Sequence, residues 1–127
     1  MASVTFFVPG KLSNPLNGAH GHWSAEAAYR KRWRAATKAC ALSVEGRIDL
    51  AALGHATEPK AILLTAHTWN TMDRDGLGAA LKPVVDGLVD AGIIHDDGPT
   101  KGGGHVLTYR QRVDRRNRGV LITVEPR

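Results

Sequence analysis

The sequence predicts an α/β (α+β) domain, a mixed sheet of about four strands with two main helices packed on it. Three observations predict it. Short β-branched or apolar runs alternate with two longer stretches of helical period, in the order strand, helix, strand, helix, strand, strand. The 127 residues, 43% hydrophobic and 23% charged, suit one globular unit with its own core. No linker or internal repeat interrupts them, so residues 1–127 read as a single domain.

Ser3 to Val8 (S-V-T-F-F-V) is β-branched and aromatic and reads as a strand ended by Pro9 and Gly10. Lys11 to Trp23 holds two Asn, one Pro and two Gly and reads as an irregular loop. Ser24 is placed to cap an Ala-rich helix that runs to about Glu45, with Gly46 as its stop. Within it Tyr29, Trp33, Ala36, Cys40 and Val44 recur every three or four residues, which gives a core stripe with the basic residues mostly off it. Asp49 to Glu58 reads as a short helical turn or a loop. Ala61 to Trp69 (A-I-L-L-T-A-H-T-W) has little alternation, the pattern of a central strand. Asn70 to Asp75 is a polar turn, after which Leu77, Leu81, Val84, Val85 and Leu88 keep a helical period that Gly92 ends. Pro83 either kinks this helix or opens its main part as the first residue. His105 to Val113 alternates Val106, Thr108 and Arg110 with Leu107, Tyr109 and Gln111, and Val120 to Val124 is another apolar strand. The linker Asp114 to Gly119 is short and polar, so a hairpin is expected between these two strands.

Composition excludes several classes. No apolar run approaches the ~20 residues of a membrane span, and Met1 to Gly10 is too short and uncharged for a signal peptide. The single cysteine, Cys40, leaves neither an intramolecular disulfide nor a cysteine-built zinc site. A soluble cytoplasmic protein is expected. Seventeen Lys+Arg against twelve Asp+Glu give a net charge of +5, a balance that favours an anionic partner, nucleic acid foremost. Basic residues crowd one early segment (Arg30, Lys31, Arg32, Arg34, Lys38) and one late segment (Arg110, Arg112, Arg115, Arg116, Arg118). Six of the twelve acids fall between positions 73 and 97: Asp73, Asp75, Asp86, Asp90, Asp96 and Asp97.

An acidic middle in a basic chain makes sense if the acids hold a cation that a phosphate also contacts. The alternative is a set of solvated charges and helix caps. A hard cation such as Mg²⁺ takes carboxylate, water and phosphate oxygens. In extended backbone the two acids of Asp73-Arg74-Asp75 point the same way, and Asp96-Asp97 is placed to close the site from another loop. Lys82 and Asp86, four apart, share a helix face roughly opposite the leucine stripe.

The segment M-D-R-D-G-L-G-A-A-L-K-P-V-V-D-G-L-V-D-A-G-I-I-H-D-D resembles the core motif of the RusA-type Holliday junction resolvases, the crossover junction endodeoxyribonucleases. That motif is Asp-x-Asp-Asn-Leu, a helix with Lys and then Asp-(Ala/Gly)-Leu, and a closing Asp-Asp. The start is also similar: a short strand, a Pro-led turn, and Ser13-Asn14 before a basic helix. The likeness spans nearly the whole chain and is specific over Asp73 to Asp97. It implies a RusA-like fold and a metal-dependent endonuclease that resolves four-way DNA junctions in recombination and repair. Asp73, Asp75 and Asp97 match the metal-binding catalytic acids, Lys82 the essential helix Lys, and Asp86 and Asp96 supporting acids. The implied cofactor is Mg²⁺, with Mn²⁺ as a substitute and no nucleotide. The implied partners are branched DNA and a second copy of the chain in a homodimer, with no membrane, in a bacterial or phage-infected cell. Two departures stand out: Gly76 replaces the motif's Asn, and Lys82 follows Asp75 by seven residues rather than four, as in the phage and prophage branch.

The candidate phosphate contacts are Arg30, Arg34, Arg74, Lys101, Arg110, Arg112, Arg115 and Arg116. Other features read as structural. His20-Gly21-His22 lacks a third ligand, His95 is a loop residue, and Lys101-Gly102-Gly103-Gly104 reverses the order of a P-loop. Cys40 belongs to the core stripe, and Trp23, Trp33 and Trp69 read as packing anchors. The alternatives to a junction nuclease are an inactive branched-DNA-binding module of the same fold, a nuclease for flaps or forks, and a basic partner-binding protein.

Overall fold

The computed structural model describes residues 3–13, 23–43, 58–95 and 105–127. They form β1 (Val4–Pro9), α1 (Trp23–Ser43), β2 (Lys60–Thr68), α2 (Arg74–Asp90), β3 (Val106–Val113) and β4 (Gly119–Pro126). The element order and the α+β class are those the sequence predicts. The four strands make one mixed sheet in the order β1-β4-β2-β3. β4 is antiparallel to both β1 and β2, and β3 is parallel to β2.

β2 is central, as its composition implies. Its side chains alternate strictly, with Ile62, Leu64, Ala66 and Thr68 buried beneath the helices. Val4, Phe6 and Val8 of β1 and Val120, Ile122 and Val124 of β4 complete that inner face. The other face carries Thr5, Phe7, Leu63, Thr65, His67, Thr108, Arg110, Arg112, Leu121 and Thr123, a mixed surface of threonine, arginine and half-buried apolar groups.

α1 buries Tyr29, Trp33, Thr37 and Ala41, with Ala36 and Cys40 half-buried at the margin. The core stripe therefore runs through Thr37, and Val44 lies outside the described residues. The helix starts at Trp23, so Ser24 stands inside the first turn and not at its cap; helix ends shift by a residue or two. Trp33 anchors the core and donates its indole N–H to the Lys11 carbonyl at 3.2 Å. The Tyr29 hydroxyl donates to the Ala80 carbonyl of α2 at 3.1 Å, and burial raises its pKa.

α2 is continuous from Arg74 to Asp90 with Pro83 inside it. Pro83 is thus not a first-turn residue; the helix begins nine residues earlier, because Asp73 supplies a better start. Gly92 ends the helix as expected. At φ +78° it lets Ile93 N–H donate to Leu88 C=O and its own N–H donate to Val89 C=O, a Schellman closure with Leu88 and Ile93 both buried.

The expected β3–β4 hairpin does not form: β2 lies between the two strands. Two strand spacings are about 9.6 Å, within reach of the five-residue connection, which extends to roughly 17 Å. Asp114 organises that connection over the end of β2. Its N–H donates to the Thr68 carbonyl at 2.9 Å, and its Oδ1 accepts from the N–H groups of Arg116 and Asn117 at 3.1 and 3.0 Å. β2 keeps a whole face buried in the middle of the sheet, and the short polar linker between β3 and β4 does not prevent it.

The helices meet closely at Gly87. A Cβ there would lie 2.6 Å from Thr37 Cβ and 2.8 Å from the Arg34 carbonyl oxygen. Gly87→Ala should therefore destabilise the fold by about 1–3 kcal/mol, although alanine is the better helix former. A urea unfolding midpoint equal to or above wild type would contradict this packing.

Candidate functional site

The acids sit at the head of α2. Asp73 is the N-cap, at φ −68° and ψ 168°; its Oδ1 accepts the Gly76 N–H at 2.8 Å, and its carbonyl accepts the Leu77 N–H at 2.9 Å. A carboxylate here also meets the positive end of the helix dipole. Gly76, where the family motif has Asn, contributes its backbone N–H to this cap. Asp75 is exposed in the first helical turn. The pair is therefore half in and half out of a helix. The extended backbone assumed for it is not found, because capping by Asp73 starts the helix immediately.

The loop before the cap is fastened to β3. The Gln111 carboxamide accepts from the Met72 N–H at 2.8 Å and donates to the Met72 carbonyl at 2.7 Å. Sequence reading missed this clamp; its only signal was a glutamine sharing a face with Leu107. Next to it, Arg74 and Leu77 of α2 and Leu107, Tyr109, Arg110 and Gln111 of β3 line a groove of about 470 Å³. Burial raises the Tyr109 pKa.

Farther along α2, Lys82 Nζ donates to Asp86 Oδ1 at 3.1 Å. At 100° per residue, Asp75, Lys82 and Asp86 lie within about 20° of one line on the helix. A spacing of seven and one of four thus put lysine on the same side of Asp75, and side chains slant toward the helix N-terminus. Asp90 points instead to α1, where Arg34 grips it with two hydrogen bonds, Nη2 to Oδ1 at 2.9 Å and Nε to Oδ2. That bond holds the Asp90 carboxyl below its usual range and raises the Arg34 pKa.

The remaining basic candidates separate into groups. Arg30 pairs with Glu26 within α1 at 3.0 Å. Arg110 and Arg112 stand on the open face of the sheet. Arg115 and Arg116 are exposed on the β3–β4 connection. Arg115 Nε donates to the Trp69 carbonyl at 3.3 Å, and its guanidinium lies 4.9 Å from the indole centroid, with that of Arg118 at 5.6 Å. Trp69 is 51% exposed, so it is a surface residue and not the anchor its size implied. Asp114 faces His67 at 3.7 Å, and the Asn117 and Arg116 N–H donors hold its carboxyl below the usual range.

Asp96, Asp97 and Lys101 lie outside the described residues, as do His20, His22 and the side chain of Trp23. Among the described residues no three His, Cys, Asp or Glu side chains gather closely enough to hold a metal ion. Asp73 and Asp75 offer oxygen donors of the kind a hard cation takes, with one Asp73 oxygen committed to the cap. Among the described residues no helix is long and apolar enough to cross a membrane. The chain matches no protein-family model and no curated protein.

The Arg34–Asp90 pair makes a pH prediction. The folded-state pKa of Asp90 is depressed, so its contribution is present above the unfolded value, about 3.9, and is lost as pH falls through the folded one. The pair is half-exposed, so the stability difference between wild type and Asp90→Asn should be under about 1 kcal/mol near pH 7. Urea titrations should show the difference shrinking below about pH 4. A difference constant with pH would assign the effect to packing.

Proposed function

We propose that this chain is a Mg²⁺-dependent endonuclease that cuts four-way DNA junctions, working in the cytoplasm of a bacterial or phage-infected cell as a twofold dimer. The observation that carries this reading is the Asp73-Arg74-Asp75 head of α2, with Lys82 and Asp86 on the same line of the helix. It is the helical part of the motif that resembles the RusA-type resolvases. Asp73, Asp75 and Asp97 hold the metal, and Mn²⁺ substitutes for it. The chemistry that such an ion would supply there is activation of a water and neutralisation of charge on the scissile phosphate. Asp73 keeps Oδ2 for this role while Oδ1 holds the cap. Lys82, on the line of Asp75, stabilises the charge that grows on the phosphate. Its pairing with Asp86 sets where the ammonium rests before substrate arrives. Arg110 and Arg112 on the open face, with Arg115 and Arg116 at the sheet end, contact flanking backbones. Arg74 lies nearest the acids, whereas Arg30 and Arg34 are already paired with carboxylates and contribute less. A junction is cut on two strands and one chain carries one site, which is the reason for the dimer.

A second reading is a branched-DNA-binding module without catalysis. It is favoured by Asp73 acting as a cap and Lys82 pairing with Asp86, both structural roles. Flaps or forks are the alternative substrates of an active enzyme.

The test is cleavage of a labelled synthetic four-way junction, beside linear duplex, flaps and forks, in Mg²⁺ and in EDTA. Paired nicks in the junction that need the metal are expected. Tight binding without cuts would move the protein to the second reading. Asp75→Asn should lower cutting by about 100-fold or more. It should leave junction binding equal or tighter, because it removes negative charge facing phosphate; weaker binding would make Asp75 structural. Changing Arg115 and Arg116 together to alanine should weaken binding and lower the salt slope by about one per lost phosphate contact. An unchanged slope would take the β3–β4 connection off the DNA surface.

A further inference from the structure

Among the described residues β3 is an edge strand, hydrogen-bonded to β2 on one side only. Val106 (39%), Tyr109 (39%) and Val113 (46%) are three of the four exposed large hydrophobic residues among those described. Eight residues of open main-chain donors and acceptors are a template for another strand. The register with β2 divides the side chains of β3. Leu107, Tyr109 and Gln111 pair with the inward residues Ile62, Leu64 and Ala66, so they face the helix layer, where the groove with Arg74 and Leu77 opens beside them. Val106, Thr108, Arg110 and Arg112 face the open side. The strand carries charge of one sign, two arginines and no acid. Among the described residues neither arginine makes an ion pair. Glu125 lines a shallow hollow with Arg110, and Asp114, which feels the charge of Arg112, is held by the N–H groups of Arg116 and Asn117.

We propose that the β3 edge receives an extended acidic segment of another protein, added to the four-stranded sheet as a fifth strand. Its Asp or Glu side chains lie on the side of Arg110 and Arg112, and its aliphatic side chains lie on the groove side. Three features select this occupant. The open main chain matches N–H and C=O groups at strand spacing, which a polypeptide has and a sugar–phosphate backbone lacks. Alternation supplies the side-chain code. Arg110 and Arg112 are two apart on one face, so acids two apart on an added strand fall beside them. The residues between those acids fall on the other face, with Leu107, Tyr109 and the groove they line. Charge supplies the sign: opposite charges directly across a strand pair stabilise it and like charges oppose it. An acidic strand is therefore accepted and a basic one refused. The inference goes beyond the junction-nuclease reading and does not need it. Where that reading holds, the bound segment covers Arg110 and Arg112 and keeps DNA from them.

The probe is a fluorescein-labelled peptide of alternating glutamate and valine, as long as β3, titrated with the wild-type chain by fluorescence anisotropy. It should bind. Replacing its glutamates by lysine should weaken binding about tenfold or more. Gathering the same residues into one glutamate block and one valine block should weaken it similarly, because the alternation is lost. N-methylation of one alternating set of peptide residues should abolish binding and of the other set should spare it, since only every second N–H of an added strand faces β3. Arg110→Glu with Arg112→Glu should reverse the preference, so that the lysine peptide binds this variant more tightly than the glutamate peptide does. No binding to the wild-type chain would overturn the proposal. So would binding that survives both the block peptide and either N-methylated set, which would make the arginines a general polyanion surface such as DNA uses. A double variant with the wild-type urea midpoint that still prefers the glutamate peptide would overturn it too. The changes to the peptide are read on the wild-type chain, so they decide the question even where the double variant does not fold. No DNA enters the titration, so its failure leaves the junction reading standing, and uncut junctions leave this site standing.

Discussion

The fold depends on one constraint: β2 must bury a whole face and still bond on both sides. Its inner residues Ile62, Leu64, Ala66 and Thr68 have little contact with solvent, so both helices must lie over that face. Its two edges are taken by an antiparallel neighbour, β4, and a parallel one, β3. A parallel neighbour requires a crossover, and α2 is that crossover. The head of α2 therefore stands where β2 ends, and the acids at 73 and 75 are held there through Met72 and Gln111. Their placement follows from the burial of a strand that carries no acid.

The charges of α2 divide by direction. Those facing α1 serve the fold, as Asp90 does with Arg34. Those facing outward, Asp75, Lys82 and Asp86, lie along one line. Asp73 belongs to both groups, since one carboxylate oxygen starts the helix and the other does not take part in the cap. A helix cap and a metal ligand demand the same short, rigid acid at an element end. The structural and the chemical account of Asp73 are thus compatible, and the cap fixes the backbone from which the second oxygen projects.

Much of this was legible in the sequence because burial leaves a period. The leucines of α2, the central character of β2, the stop at Gly92 and the outward position of Lys82 all follow from spacing alone. Strand order was not legible in the same way. A five-residue polar linker reads as a hairpin, yet it also spans two strand spacings, so the linker alone does not decide which strands become neighbours. Trp69 misled for a related reason. Its size argues for burial, but it falls one residue past the end of β2, where two arginines cover its ring in place of the core. The acidic site was legible only as a spacing. The geometry of Asp73 and Asp75 depends on where the helix starts, and that in turn on a cap whose hydrogen bond no periodicity reveals.

The strand order also sets a timetable. Among the described residues β1 pairs only with β4, so Val4 to Pro9 finds its partner strand only when residues 119–126 leave the ribosome. Until then the apolar residues Val4, Phe6 and Val8 must wait, and the sheet cannot close. Such long-range pairing slows folding and exposes strand edges while it is incomplete. The chain thus completes its sheet after synthesis of its last strand rather than in stages, and it is most open to aggregation in that interval.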